Sequence, residues 1–308
     1  MGHRAIVPWR ACLTLLAVLL GMSLPAPSAL AFCRLTTCDG DCKTDADGCK
    51  AEGKPLRWVG PCVGMSLQRD GGGKLPRKAV VFAVDRALEA WVTTCQEEGG
   101  ASMTLTSYKT TTCSRPIYNR EGPNANAIIF RDGGAWAHDN ELGNTLGYTT
   151  VSYNVGSGEI YGADIELNNT SGQLGVPGSP GEYDLRSVIT HELGHVLGMG
   201  HTQDENAVMY PSLPTSENRH ALRDDDRSAM CEVYAPDRKT GKCVVAPRGG
   251  FTDDCTERAA PAVAGEPASC AISGSSLARD RGHRSDAFLG LGAVMALSLT
   301  TRRGRRGA

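Results

Sequence analysis

The 308-residue sequence lacks any apolar run of about 20 residues, which argues against a bundle of conventional membrane-spanning helices. It also lacks an excess of charge of either sign: 32 Lys+Arg stand against 34 Asp+Glu, a net charge of −2. Nucleic acid is held first through its phosphates, so a chain without a basic surplus carries no footprint for that partner. Paired C-x-x-C knuckles are absent too, although the chain has 12 cysteines. That removes the commonest spacing of a cysteine-ligated zinc site.

What is present begins with export. Arg4 and Arg10 precede the apolar run Ala11 to Leu20, and Ala29-Leu30-Ala31 supplies a small-residue cleavage site. This pattern reads as a secretory signal over residues 1–31, cut before Phe32; the alternative, a membrane anchor, is disfavoured by the shortness of the run. Twelve cysteines also suit an oxidising compartment better than a reducing cytosol. Cys12 leaves with the signal. Ten of the remaining eleven (33, 38, 42, 49, 62, 95, 113, 231, 243 and 255) lie in or beside the body and read as five disulfides of undetermined pairing, with Cys270 left over. A cysteine zinc site between Cys33 and Cys49 is the rival for the first of them.

Composition divides the exported part into four. Residues 32–57 are polar and cysteine-rich, a small stapled cap. Residues 58–235 are patterned as a globular domain. Residues 236–285 are rich in Ala, Pro, Gly, Ser and charge without an apolar period, the composition of a flexible tether. Residues 286–308 combine a short apolar run with terminal arginines.

Within the domain, Pro76 opens a helix whose Val80, Val84, Leu88, Trp91 and Val92 fall at helical spacing. Strands are expected around Met103 and Leu105, at Ile128-Ile129-Phe130, over Leu146–Tyr153 and over Ile160–Asn168, where Ile165 and Leu167 alternate with polar residues. A second helix runs from an Asp184 cap to Leu197. Leu185, Val188, Ile189, Leu193, Val196 and Leu197 form its apolar face, while His191 and His195 point another way, towards a cleft. Helix, strands, then helix imply an α/β (α+β) fold.

That second helix carries His191-Glu192-Leu193-Gly194-His195-Val196-Leu197-Gly198-Met199-Gly200-His201. Residues four apart stack on successive turns, so both imidazoles reach one zinc ion at ~2.0–2.1 Å. A continued helix would carry His201 ~9 Å onward and to the wrong side. The chain must therefore turn back, and Gly198 permits the left-handed conformation this needs. Three neutral imidazoles leave the fourth tetrahedral position open, the arrangement of one catalytic zinc. Glu192, beside the first ligand, is placed as general base for a zinc-activated water that attacks a peptide carbonyl. H-E-x-x-H alone is a weak signal; the added glycine and third histidine make it a strong one.

The segment resembles the metzincin zinc proteases, and most closely their matrixin branch. Ala207-Val208-Met209-Tyr210-Pro211 resembles the matrixin Met-turn, which implies that Met209 forms an apolar floor beneath the metal. Leu146-Gly147-Tyr148-Thr149-Thr150 resembles the antiparallel edge strand that pairs with extended substrate, so Leu146, Gly147 and Tyr148 are candidate substrate-binding residues. Asp164 to Asn168 resembles the next strand, and Leu222 to Asp226 with Met230 and Tyr234 the C-terminal helix. The implied fold is a twisted mixed sheet with that antiparallel edge strand, an active-site helix, a Met-turn and a C-terminal helix. A tyrosine two residues after the Met-turn methionine, as in astacins, is missing. So is a Pro-Arg-Cys-Gly cysteine switch, which leaves the branch's usual latency unsupported. The loop before the edge strand offers only His138, between Asp132 and Asp139. No second zinc is expected from it, and calcium is left open and unassigned.

Ala287 to Leu299 spans only ~20 Å as a helix and precedes Arg302, Arg303, Arg305 and Arg306. It resembles the C-terminal sorting tails of bacterial surface proteins, including those of myxobacteria. Cys270 is a candidate processing point, and a plain tail anchor is the alternative. The expectation is a monomeric zinc endopeptidase acting on protein or peptide substrates, exported to the medium or held at a bacterial surface. Its rival is a catalytically silent surface adhesion module, which would need neither Glu192 nor the three ligands.

Overall fold

The structure is a computed structural model. It describes residues 32–275 apart from 39, 96, 98, 132–135, 137–144, 170–172, 178–180, 182, 216, 254 and 256–267. The signal expected over 1–31 and the tail over 286–308 lie outside the described residues.

The helix opened by Pro76 is α1 (Arg77–Val92). Val80, Ala83, Val84, Ala87, Leu88 and Trp91 are its buried face, at the spacing of a stripe one side wide. The second, α2 (Leu185–Val196), starts where the Asp184 carboxylate accepts the Ser187 N–H at 2.8 Å, satisfying one of the orphan donors of its first turn. Trp91 ties the two together, its indole N–H donating to Thr190 O at 2.9 Å. A third helix, α3 (Asp224–Val233), is joined to the end of α1 by Cys95–Cys231.

Five strands form the sheet of the body: β1 (Cys62–Leu67), β2 (Thr104–Ser107), β3 (Ala127–Arg131), β4 (Thr145–Tyr153) and β5 (Ile160–Asn168). A two-stranded pair, β6 (Leu174–Gly175) and β7 (Tyr183–Asp184), leads into α2. Two further strands, β8 (Ser212–Pro214) and β9 (Ala268–Ser275), extend the main sheet, whose order is β2-β1-β3-β5-β4-β9-β8. The β1–β2, β1–β3, β3–β5 and β8–β9 pairs are parallel, whereas β4 runs antiparallel to both neighbours. Within the five body strands β4 is the antiparallel edge, as expected; β9 covers its outer side.

Three features depart from expectation. β1 is absent from the strand expectations because Gly64 and Ser66 interrupt its apolar residues, yet all six of its residues are buried. On β5 the polar set Asp164, Glu166 and Asn168 is buried along with Ile165 and Leu167. On this face the loop after β2 supplies the Ile117 N–H, and its Cys113 packs in a small apolar cluster with Ala125 and the β3 residues Ala127 and Ile129.

The third concerns the tether expected over 236–285, which is not one over its described parts. Cys62–Cys243 and Cys113–Cys255 staple it to β1 and to the loop after β2. Gly64 N–H donates to Val245 O at 3.1 Å, and Arg238 donates to Trp58 O at 2.9 Å. Covalent links and backbone hydrogen bonds here take the place of the apolar periodicity that the sequence lacks. All ten body cysteines pair, and Cys33–Cys49 and Cys38–Cys42 set aside the cysteine zinc site.

Candidate metal centre

The centre is built on the last two turns of α2. His191 and His195 sit one turn apart, and their Nε2 atoms approach to 3.1 Å. The helix then stops. Leu197 is its C-cap and Gly198 follows at φ +85°, with Gly198 N–H donating to His195 O and Met199 N–H to Gly194 O, both at 2.9 Å. These paired bonds close a Schellman turn. A side chain at 198 would be strained by that φ and would also strike the Leu56 carbonyl. The reversal brings the His201 ring centroid to 5.2 Å from His191 and 4.9 Å from His195. One ring nitrogen of each histidine lies within 4.8 Å of the others.

Hydrogen bonds orient two of the rings. His191 Nδ1 lies 2.7 Å from Val208 O, and His195 Nδ1 lies 2.8 Å from Met199 O. A carbonyl only accepts, so Nδ1 carries the proton in both rings and each Nε2 keeps its lone pair. Burial pushes the His191 imidazole well below its usual range, helped by His195 and His201, and pushes His195 down to about 3, helped by His201. Two buried, neutral nitrogens with lone pairs 3.1 Å apart repel unless a cation lies between them. The donor set therefore fits a metal ion, and three imidazoles fit zinc.

Glu192 is fully buried. Its Oε2 accepts the Thr149 hydroxyl at 2.5 Å, and a Cβ at Gly147 would stand 2.5 Å from its Oε1. The β4 residue beside the carboxylate is thus a glycine because the carboxylate needs the room. Met209 lies against Gly194, where a side chain would meet its sulfur and the Trp91 ring. The turn that holds Met209 is clamped by Asp226 of α3, whose carboxylate accepts Val208 N–H at 2.9 Å and Met209 N–H at 3.1 Å. Burial raises the Asp226 carboxyl to about 6 against the pull of these backbone donors.

The structure thus brings His191, His195 and His201 together, with Glu192 on the same helix and Met209, which the resemblance singled out, against Gly194. Of the edge-strand candidates, Gly147 faces Glu192, Leu146 is fully buried in the core and Tyr148 is half-buried. The side of α2 expected to line a cleft is covered. Every residue from Ser187 to Val196 is buried, the histidines included, because β4, β9 and the Met-turn close over that side. Thr149, Asp226 and the cap residues Cys33–Leu35 escaped the sequence reading. The cap residues brace the ligand turn through Leu35 N–H to Gly198 O at 2.9 Å and Gly200 N–H to Cys33 O at 2.8 Å. No local pattern marks these contacts; they join segments far apart in the chain.

Asp132, His138 and Asp139, the loop weighed for calcium, lie outside the described residues. Among the described residues the three histidines are the one group of metal-ligating side chains close enough to share an ion.

Comparison with known proteins agrees with this geometry. The chain is 48% identical over 56 residues to Metalloendoproteinase 1-MMP of Arabidopsis thaliana, covering 18% of this chain and 15% of that one. It is 44% identical over 52 residues to Metalloendoproteinase 1 of Glycine max, covering 17% of each. With human Matrilysin it shares 32% identity over 93 residues, 30% of this chain and 32% of that one. The matched segments thus span from about one sixth to one third of these relatives. The matrixin profile matches residues 66–235, more than half of the sequence and the whole of the histidine centre, and by that match the chain belongs to the matrixin family.

Proposed function

We propose that the protein is an exported, zinc-dependent endopeptidase in which His191, His195 and His201 hold the metal and Glu192 is the general base. The observation that carries this reading is the convergence of three imidazoles, two of them neutral and held by backbone carbonyls, beside a buried carboxylate. A zinc ion held there would supply a Lewis-acid charge for a peptide carbonyl and lower the pKa of a water molecule.

The chain's own groups do the rest. The Glu192 carboxylate, steadied by the Thr149 hydroxyl, takes a proton from the attacking water and returns it to the leaving nitrogen. Met209 lies under the ligand helix and fills the space that the absent Gly194 side chain leaves. The outer side of β4, paired with β9 in this structure, is where an extended peptide would continue the sheet in place of that strand. Protein or peptide is therefore the substrate class. The five disulfides support export to an oxidising compartment, and the protein acts as a monomer, with residues 286–308 as a surface-sorting or anchoring tail.

The test is Glu192→Ala in the full chain. It should keep its zinc, measured by metal analysis, and lose at least ~100-fold in peptide hydrolysis. Undiminished hydrolysis by a folded, zinc-loaded Glu192→Ala chain would remove Glu192 from the mechanism. Failure of the wild-type chain to cut any peptide, whatever its zinc content, would leave the adhesion-module reading instead.

A further inference from the structure

The outer side of β4, where an external peptide would dock, is already paired. β9 lies along it in antiparallel register, with Thr150 opposite Ser269, Thr149 opposite Cys270, Tyr148 opposite Ala271 and Gly147 opposite Ile272. From Ser273 onward the same strand runs parallel to β8, with Ser212 opposite Ser273 and Leu213 opposite Gly274. Its backbone also comes within 8 Å of that of α2, the helix that carries the first two histidines. β8 begins three residues after Met209. Residues 268–275 are therefore threaded between the two walls of the cleft over the histidine centre. They are delivered in cis: Ala268 follows Cys255, which is fixed by its disulfide to Cys113, by a stretch that reaches at most about 45 Å when extended.

We infer that residues 268–275 are the protein's own first substrate, bound as an intramolecular strand, and that the bond cut is Ala271–Ile272. This rests on the peptidase reading above and names a substrate for it. The choice of bond follows from register. Thr149 donates its hydroxyl to the Glu192 carboxylate, and Gly147 leaves room for it, since a Cβ there would stand 2.5 Å from Oε1; their partners on β9 are Cys270 and Ile272. The backbone opposite the general base is thus Cys270 to Ile272, and beyond Ile272 the strand leaves β4 for β8. Hydrolysis adds water across one amide: the C–N bond breaks, hydroxyl joins the Ala271 carbonyl carbon, and the proton goes to the Ile272 nitrogen. The product ends at Ala271 and is separated from residues 272–308, which include the apolar and arginine-rich tail. Until that cut, the segment holds the place of any external peptide, because both would use the same side of β4.

Two measurements on the full chain test this. In the first, amide hydrogen exchange is followed across Gly147–Val151 in Glu192→Ala, with and without Ile272→Pro, which removes an N–H from β9. Exchange at least ~10-fold faster with the proline is expected; equal exchange would mean that β9 does not occupy the strand, and would overturn the inference whatever the activity. In the second, the zinc-loaded chain is followed by intact mass and by hydrolysis of a reference peptide. Residues 272–308 should be lost at a first-order rate unchanged by tenfold dilution. Peptide hydrolysis should rise in step with that loss, and the Ile272→Pro chain should show no lag. Full-rate hydrolysis by the uncut chain would overturn self-blocking, and a cut elsewhere would overturn the assigned bond. If neither chain hydrolyses the peptide or loses its tail but their exchange differs, the strand occupies the cleft, while the self-cleavage and the peptidase reading both fall.

Discussion

The ligand segment, residues 185–211, and the C-terminal segment, residues 236–275, meet at the same cleft but reach it by different physics. In the first, each functional position follows from local rules: a capped helix, two histidines one turn apart, a glycine that turns the chain, and a third histidine returned by that turn. In the second, no local rule operates. Its composition is that of a tether, and its course is imposed by Cys62–Cys243, by Cys113–Cys255 and by strand pairing with β4 and β8. Short-range geometry is thus enough to build the donor set, whereas access to it is decided by chain whose disulfides and pairing with β4 each reach across more than a hundred residues.

The contrast is broken most sharply at the centre itself. His195→Ala removes a buried donor placed by α2 and the turn that follows it, and it should abolish both zinc retention and peptide hydrolysis while leaving the disulfides intact, as metal analysis and non-reducing mass mapping would show.

The reverse experiment replaces Cys62 and Cys243 together with Ala. The bond spans 181 residues, and its loss should cost about 2–5 kcal/mol in a guanidinium melt while the folded protein still binds zinc. Loss of zinc binding in the folded variant would mean that the two segments are more tightly coupled than their construction implies.

A smaller effect is expected where the segments share support. Asp226→Leu leaves the Val208 and Met209 N–H groups without their acceptor, at about 1–3 kcal/mol, and should also weaken zinc binding, since Val208 O orients His191.

A pH effect is expected in the sheet behind the centre. Burial raises the Asp164 carboxyl to about 8, although Ala127 N–H and Ile117 N–H oppose the shift. The folded state then binds this proton more tightly than the unfolded chain between pH ~4 and ~8. This group's contribution to stability should be full below that window and fall as pH rises through it. Urea melts of Asp164→Asn at pH 5 and pH 8 should differ less than those of the wild type.

How far the fold could be read from residues alone varied with how local its determinants were. α1, α2 and β5 were legible because their periodicity or length stands out over ten residues or so, and Asp184 marked its own cap. β1 was not, since Gly64 and Ser66 break its apolar run, and the burial of Asp164 and Glu166 was not, since nothing near them in the chain says what covers their face. At the centre, the three histidines and Glu192 stood out by spacing. Thr149 and Asp226, which hold Glu192 and the Met-turn in place, look like ordinary strand and helix residues until the chain is folded.

Covalent order alone therefore determined that this protein presents three imidazoles and a carboxylate to one point, because a helix of 3.6 residues per turn and one left-handed glycine leave them nowhere else to go. Tertiary structure decided which cysteines join, which buried groups brace the centre, and that the outer side of β4 is taken by the protein's own residues 268–275. Most of those outcomes depend on closing loops, up to 181 residues for Cys62–Cys243, whose ends carry no mark of each other until packing and strand pairing bring them into contact.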